Sequence, residues 1–292
     1  MIVNVPTIKV KKNTKFFMKS MMFGLYFNIS VVLEHPFETL KTQWQKRYTL
    51  ANITTTSTQI YKESGINGFY KGLVPNLIKS SIKNIFRLPA MIYLPGIFKK
   101  YLAKTGFYFD SLPKILAGIS FSNFEVFLLT PLERLKVFLM TESVGMTGFY
   151  KKHKGNIIRQ LYKGLGPTYW KTNTGILTFI ISNHYIKRFW KEHLGRERLS
   201  SYDYLTIATI VGSLGAFTTM PFDFLKTQAQ LERKDGNTKQ ESTLKQLLRH
   251  FRQNNVKVLY TGWHLRFSHT IIGSLVGVIL LEKFENDFRK LH

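Results

Sequence analysis

Three times the chain places a proline, an acid two residues later and a lysine five residues later. The copies read Pro36-Phe37-Glu38-Thr39-Leu40-Lys41, Pro131-Leu132-Glu133-Arg134-Leu135-Lys136 and Pro221-Phe222-Asp223-Phe224-Leu225-Lys226. The prolines lie 95 and 90 residues apart. The chemistry such residues support is charge pairing rather than bond making. Around a threefold axis, Glu38, Glu133 and Asp223 of one copy can meet Lys41, Lys136 and Lys226 of a neighbour, and the ring is neutral in sum. Partly hydrated ion pairs contribute modestly each, which suits a gate that opens repeatedly. Unrelated i,i+3 pairs on helix surfaces would not carry the same proline in all three copies. No nucleophile–base grouping, metal cluster or phosphate-binding glycine loop is present, so the chain does not read as an enzyme.

A second motif follows each copy: Tyr70-Lys71-Gly72, Tyr162-Lys163-Gly164 and Tyr260-Thr261-Gly262, spaced by 92 and 98 residues. Two motifs in phase mark one unit built three times. We assign repeats to residues 16–105, 110–198 and 200–290 of a single domain, 1–292. Apolar stretches with small residues precede the prolines, at Met21 to Leu33, Ile115 to Thr130 and Tyr204 to Met220, each most of a membrane span. Mixed stretches follow the glycines, at Leu73 to Tyr101, Leu165 to Trp190 and Trp263 to Phe288. Charges inside them, such as Lys79, Lys83 and Arg87, are costly against lipid and predict a polar interior. A proline within a helix removes a donor and bends it, so the prolines predict three kinks at one depth. The predicted fold is an all-α membrane protein of six transmembrane helices in three pseudo-threefold repeats. Short surface helices join the two halves of each repeat, as Leu244, Leu247, Leu248 and Phe251 predict by their spacing.

Of 292 residues, 42 are Lys or Arg and 17 are Asp or Glu, a formal net charge of +25 that calls for an anionic partner. A nucleic-acid-binding protein would explain that charge but not the apolar spans or the phased prolines. The 24 phenylalanines suit a lipid-facing body, and the absence of cysteine excludes disulfides and thiolate metal sites. Met1 to Ser20 holds five lysines and no arginine, and matches no secretory signal. Loop charge does not orient the chain, since Lys234, Lys245 and Arg249 on one side face Lys99, Lys187, Arg196 and Arg198 on the other.

Over residues 16 to 290 these motifs resemble the mitochondrial carrier family, multi-pass solute transporters of the mitochondrial inner membrane. The resemblance implies that the ion-pair ring closes a cavity on the matrix side, where the short surface helices also lie, and that both termini face the intermembrane space. It implies a brace beneath the ring at Gln45 and Gln230, nine residues after their prolines, where the second repeat has Met140. It implies no cofactor beyond bound cardiolipin, a membrane lipid, held at the helix starts by Tyr70, Lys71, Gly72, Tyr162, Lys163, Gly164, Tyr260 and Gly262. Glycine needed for close packing explains Gly72, Gly164 and Gly262 equally well. Solute contacts fall nine and ten residues after each tyrosine, at Lys79 and Ser80, Lys171 and Thr172, and His269 and Thr270. Lys83, Arg87 and Arg266 add to this collar, and the implied solute is an anion bearing carboxylate or phosphate. The alternative is that these lysines reach lipid headgroups or water.

The chain departs from the family at the cytoplasmic end of the even-numbered helices, where a second ionic gate is usual. The corresponding residues are Ile92 and Pro95, His184 and Lys187, and Glu282 and Glu285, leaving Lys187 with Glu282 as the one opposite-charge pair. The acid–glycine pair before the second motif is also altered. Two readings follow: a transporter of an anionic metabolite by alternating access, or a transport-impaired carrier fold serving as a structural subunit of a larger inner-membrane complex such as one of the respiratory chain. Glu125, six residues before Pro131, is either a counter-charge to an interior lysine or a proton-coupling acid. His35 reads as a packed or capping residue, and His264 and His269 have no neighbouring acid or cysteine that would make a metal site.

Overall fold

The computed structural model describes residues 28–46, 52–105, 112–142, 144–195, 199–231, 242–253 and 256–289. The lysine-rich start of the chain, the apolar stretch over residues 21–27, and Arg196, Arg198 and Lys234 lie outside them. All regular structure among the described residues is helical. Six helices are long: α1 (Asn28–Lys46), α3 (Leu73–Thr105), α4 (Leu112–Thr141), α7 (Leu165–Leu194), α8 (Ser201–Gln230) and α11 (Trp263–Arg289). At 1.5 Å per residue, the 33 residues of α3 extend about 50 Å, enough to cross a bilayer at a tilt. Between them lie α2 (Ile53–Ser64), α5 (Met146–Lys152), α6 (Ile157–Leu161), α9 (Thr243–Arg252) and α10 (Val256–Leu259).

Local sequence explains where the elements start and stop. The Ser200 hydroxyl accepts from the Asp203 amide, and the Asp203 carboxylate accepts from the Ser200 amide at 2.8 Å, a reciprocal cap that starts α8. Gly195, with φ of +60°, ends α7. Pro36, Pro131 and Pro221 lie inside α1, α4 and α8, and α3 holds Pro89 and Pro95 as well.

The long helices form a closed ring in chain order, with α11 packing back on α1, and the three proline helices also touch one another. Among the described residues, only α4 and α8 are apolar enough to pass as membrane spans by composition alone. Charges on the inner face account for the difference in the others. Among the largest fully buried side chains are Arg134, Lys136, His35 and Gln45, whereas Phe124, Phe127, Phe189 and Phe217 are exposed. Polar groups inside and aromatics outside invert the pattern of a soluble core and suit a lipid-facing ring around a polar interior. Apolar clusters do form where the short helices cover the proline helices. Leu135 and Phe138 meet Phe149 of α5, and Phe224 and Leu225 meet Leu259 of α10.

Candidate functional site

The acids and lysines of the first motif converge from three repeats. Lys136 pairs with Glu38, Lys226 with Glu133 at 2.8 Å, and Lys41 with Asp223. Each carboxylate meets the lysine of the next repeat, so the ring closes in rotation, as the spacing predicts. The lysine side chains are only 8, 2 and 6% exposed for Lys41, Lys136 and Lys226. Removing one partner from such a shielded pair costs more than the intact pair contributes, because a buried charge is left behind.

The collar lysines join the same carboxylates. Lys79 reaches Glu133 Oε1 at 3.3 Å while Lys226 holds Oε2. Lys171 takes Asp223 Oδ1 while Lys41 holds Oδ2. In the third position, His269 instead meets Glu34 of α1, with Nε2 2.9 Å from Oε2. The second oxygen of Glu38 receives the Asn76 amide at 3.3 Å. Sequence reasoning missed Asn76. Its Oδ1 accepts from Lys136 at 3.3 Å, so its NH2 faces both Glu38 and His35 Nδ1, the latter at 3.1 Å. A histidine that accepts at Nδ1 carries its proton on Nε2, which donates to the Lys71 carbonyl at 3.0 Å. His35 is therefore a packed, neutral strut. Counting six residues from each tyrosine gives Asn76, Thr168 and Arg266, the spacing signal that would have located it.

Other predicted contacts are spent differently. The Thr172 hydroxyl donates to the Thr168 carbonyl at 2.9 Å. That of Thr270 donates to the Arg266 carbonyl at 3.0 Å, and its methyl packs against Gly212 of α8. Ser80 accepts from Asn84 at 3.1 Å. Lys83 and Glu125 form a pair at 3.0 Å, which is the counter-charge role for Glu125.

A model of the mitochondrial carrier protein family matches residues 13–102 and 197–291, the first and third repeats. The chain belongs to the mitochondrial carrier family. Members are multi-pass transporters of the mitochondrial inner membrane rather than enzymes. Among relatives, the chain is 26% identical over 230 residues to the mitochondrial aspartate-glutamate transporter AGC1 of Saccharomyces cerevisiae, covering 72% of this chain but only 25% of that longer protein. It is 25% identical to the mitochondrial substrate carrier family protein ucpB of Dictyostelium discoideum, covering 87% of this chain and 91% of the relative. It is 24% identical to the mitochondrial succinate-fumarate transporter 1 of Arabidopsis thaliana, covering 77% of each.

Within this carrier, the glycines of the second motif have φ of +80°, +86° and +86° at Gly72, Gly164 and Gly262, where a side chain is strained. A Cβ on Gly72 would stand 2.9 Å from the Lys136 carbonyl oxygen, one on Gly164 2.7 Å from Gln230 Cγ, and one on Gly262 3.0 Å from Lys41 Cγ. Each glycine thus lets one repeat seat against the proline helix of the next. The tyrosines pack against aromatic rings, Tyr162 on Phe127 with centroids 5.2 Å apart and Tyr260 on Phe217 at 5.0 Å, while Tyr70 stacks on His35 at 6.3 Å. Two lysines expected at lipid phosphates are half-buried and also make contacts within the protein. Lys71 donates to Ser64 Oγ at 2.7 Å and Lys163 to the Leu231 carbonyl at 3.1 Å.

Gln45 is placed near the ring but braces backbone rather than an ion pair. Gln45 donates to the Thr261 carbonyl at 3.1 Å, and Gln228, which the spacing did not single out, donates to the Gln45 carbonyl at 2.7 Å. Gln230 is fully buried beneath Gly164, and its amide has no hydrogen-bond partner among the described residues. At the far end, the Lys187 ammonium sits over the Tyr204 ring, 5.4 Å from its centroid. The side chain of Glu282, its expected partner, lies outside the described residues.

Proposed function

We propose that this carrier moves a small anionic metabolite, a carboxylate or phosphate-containing solute, by alternating access through the helix ring. The observation that carries the proposal is the position of Lys79 and Lys171. They reach inward to the gate carboxylates yet keep 16 and 19% of their side chains exposed, more than any gate lysine. A solute that enters from the opposite end passes Arg87, two turns further out along α3, and reaches these two ammoniums before any gate lysine. Relatives named for aspartate and glutamate, and for succinate and fumarate, support a carboxylate as solute. So does the relative named the mitochondrial 2-oxodicarboxylate carrier in mouse, 23% identical over 254 residues.

In this reading the ring of Glu38, Glu133 and Asp223 with their lysines is the gate, and Lys79, Lys171 and His269 with Ser80, Thr172 and Thr270 outline the solute level. Cardiolipin is proposed at the starts of α3, α7 and α11. The first amides of a helix have no partner within it and favour phosphate, and Lys71, Lys163 and the tyrosines flank them. Purified protein in liposomes should exchange a radiolabelled carboxylate against internal carboxylate. Ala at both Lys79 and Lys171 should abolish this exchange. Wild-type protein that exchanges none of a broad set of carboxylates and phosphates, yet migrates from mild detergent in a large stoichiometric complex, would replace this reading with the structural-subunit one.

A further inference from the structure

Three seams join neighbouring repeats, and they are not held alike. At the ion-pair ring and just inside it they match, each with one gate pair and one further pair across it. Repeats one and two share Lys136–Glu38 and Lys79–Glu133. Repeats two and three share Lys226–Glu133 and Lys171–Asp223, and repeats three and one share Lys41–Asp223 and His269–Glu34. The seams differ one turn beyond the ring, toward the C-termini of the proline helices. We infer that Gln43, Lys46 and Gln228 are positioning residues that hold two of the seams shut there, so that the mouth opens first between repeats two and three. The inference rests on the alternating-access reading and adds an order of opening to it.

Seven residues after its proline, repeat one has Gln43. Its amide donates to the Met140 carbonyl, nine residues after the proline of repeat two. Repeat three makes the same contact onto repeat one, where Gln228 donates to the Gln45 carbonyl at 2.7 Å. The third contact of this set needs a donor at position 138, aimed at the Gln230 carbonyl. That position holds Phe138, which has no side-chain donor and is buried in the apolar cluster with Leu135 and Phe149. Gln230 is fully buried, and its own amide has no partner among the described residues. Further contacts widen the difference. Lys46 donates to the Thr141 carbonyl and pairs with Glu142 at 3.2 Å, a second hold between repeats one and two. Gln45 donates to the Thr261 carbonyl at 3.1 Å, a second hold between repeats three and one. Between repeats two and three, Lys163 reaches the Leu231 carbonyl at 3.1 Å. A shielded carbonyl that loses its donor is costly, so each such contact resists separation.

Further from the mouth the order reverses. There α7 and α8, from repeats two and three, are joined at three levels. The hydroxyls of Thr178 and Thr218 meet at 3.1 Å, Lys187 lies over the Tyr204 ring, and Trp190 Nε1 donates to Asp203 at 3.1 Å. Between repeats one and two, an apolar cavity of about 450 Å³ lined by Phe86, Pro89, Tyr93 and Phe124 lies between α3 and α4. Two bodies pinned far from the mouth and lightly tied at it separate by pivoting, with the mouth as the free end.

The chain has no cysteine, so single thiols report on single seams. Met140→Cys lies beneath Gly72 between repeats one and two, and Gln230→Cys beneath Gly164 between repeats two and three. Both positions are fully buried. Met140→Cys leaves the Gln43 contact in place, because that contact is to main chain. Each protein is reconstituted in liposomes and labelled by a membrane-permeant maleimide with no solute present, against the rate for the same thiol in denatured protein. The thiol at 230 should label roughly fivefold faster than the thiol at 140, the factor for about one net hydrogen bond. Adding Gln43→Leu or Lys46→Met to Met140→Cys should remove that difference. Adding Gln43→Lys keeps a donor, as Lys46 supplies one at Thr141, and should preserve it. A cooperative melt in detergent confirms that each variant is folded.

A thiol at 140 that labels as fast as the one at 230, in protein that exchanges carboxylate, would overturn the order of opening alone. Protection at 140 unchanged in both Gln43→Leu and Lys46→Met, or lost in Gln43→Lys, would overturn the positioning roles. Labelling in the stated order with no exchange of any carboxylate or phosphate would leave the order standing and overturn the anion-carrier reading. If neither thiol labels, with or without solute, alternating access and the order of opening fall together.

Discussion

The two ends of the helix ring are held by different means. At the gate end, three carboxylates interlock with five lysines and an asparagine drawn from every repeat. At the far end, the positions where carriers place a second ionic set hold Ile92, Pro95, His184, Lys187, Glu282 and Glu285; Lys187 rests on an aromatic ring, and the side chains of both glutamates lie outside the described residues. A transporter by alternating access weighs two closed states against each other. In the proposed alternating access, with the ion pairs among the described residues concentrated at one mouth, the gate-closed state is the resting one, and the solute supplies the energy that opens it.

The comparison can be broken most severely at the glycines. Gly72→Val should destabilise the protein by at least ~2 kcal/mol, because a side chain there combines a left-handed backbone with a 2.9 Å approach to the Lys136 carbonyl. A fall of several degrees in the detergent melting curve is the measure. Next in size is Glu133→Ala, which strands both Lys79 and Lys226 and should lower exchange at least tenfold, on the order of 1.4 kcal/mol or more. The swap Glu133→Lys with Lys226→Glu should recover part of that loss, whereas either half alone should not. Gln45→Ala removes one hydrogen bond to Thr261 and should cost about 1 kcal/mol of melting stability. Its reverse, Met140→Gln, tests whether the missing glutamine of the second repeat loosens the gate, and exchange should then slow about twofold, within one hydrogen bond's contribution. The smallest effect is expected at the far end. Lys187→Ala removes a cation–ring contact of about 0.5–1 kcal/mol and should change exchange by less than about threefold. If Lys187→Ala matched Glu133→Ala, the asymmetry between the two ends would be wrong.

Much of the gate was legible in the sequence because it repeats. Pro36, Pro131 and Pro221 with their acids and lysines announce a threefold contact by phase alone, and the ring joins in the order the spacing predicts. The surface helix over Leu244 to Phe251 was legible for a different reason, since helical spacing of apolar residues needs no partner to be seen. What escaped was whatever breaks the symmetry. Asn76 has Thr168 and Arg266 as its equivalents, three residue types with nothing in common, so repetition does not mark it. The turn of His269 toward Glu34 depends on an acid that only the first repeat has at that position, two residues before its proline. Thr270, placed at the solute level by counting, also packs its methyl against Gly212, a contact that counting along a helix does not reveal.

By itself the sequence determined the number of repeats, the inward-facing charge, and the residue types that meet at one mouth, for these follow from spacing and from the cost of placing charge against lipid. The tertiary structure decided how the carboxylates are divided. Whether Glu133 serves Lys226 alone or Lys226 and Lys79 together depends on the relative placement of helices from separate repeats, to within a hydrogen-bond length. No local pattern carries that, because a carboxylate offers two oxygens and the chain does not record which neighbour takes each.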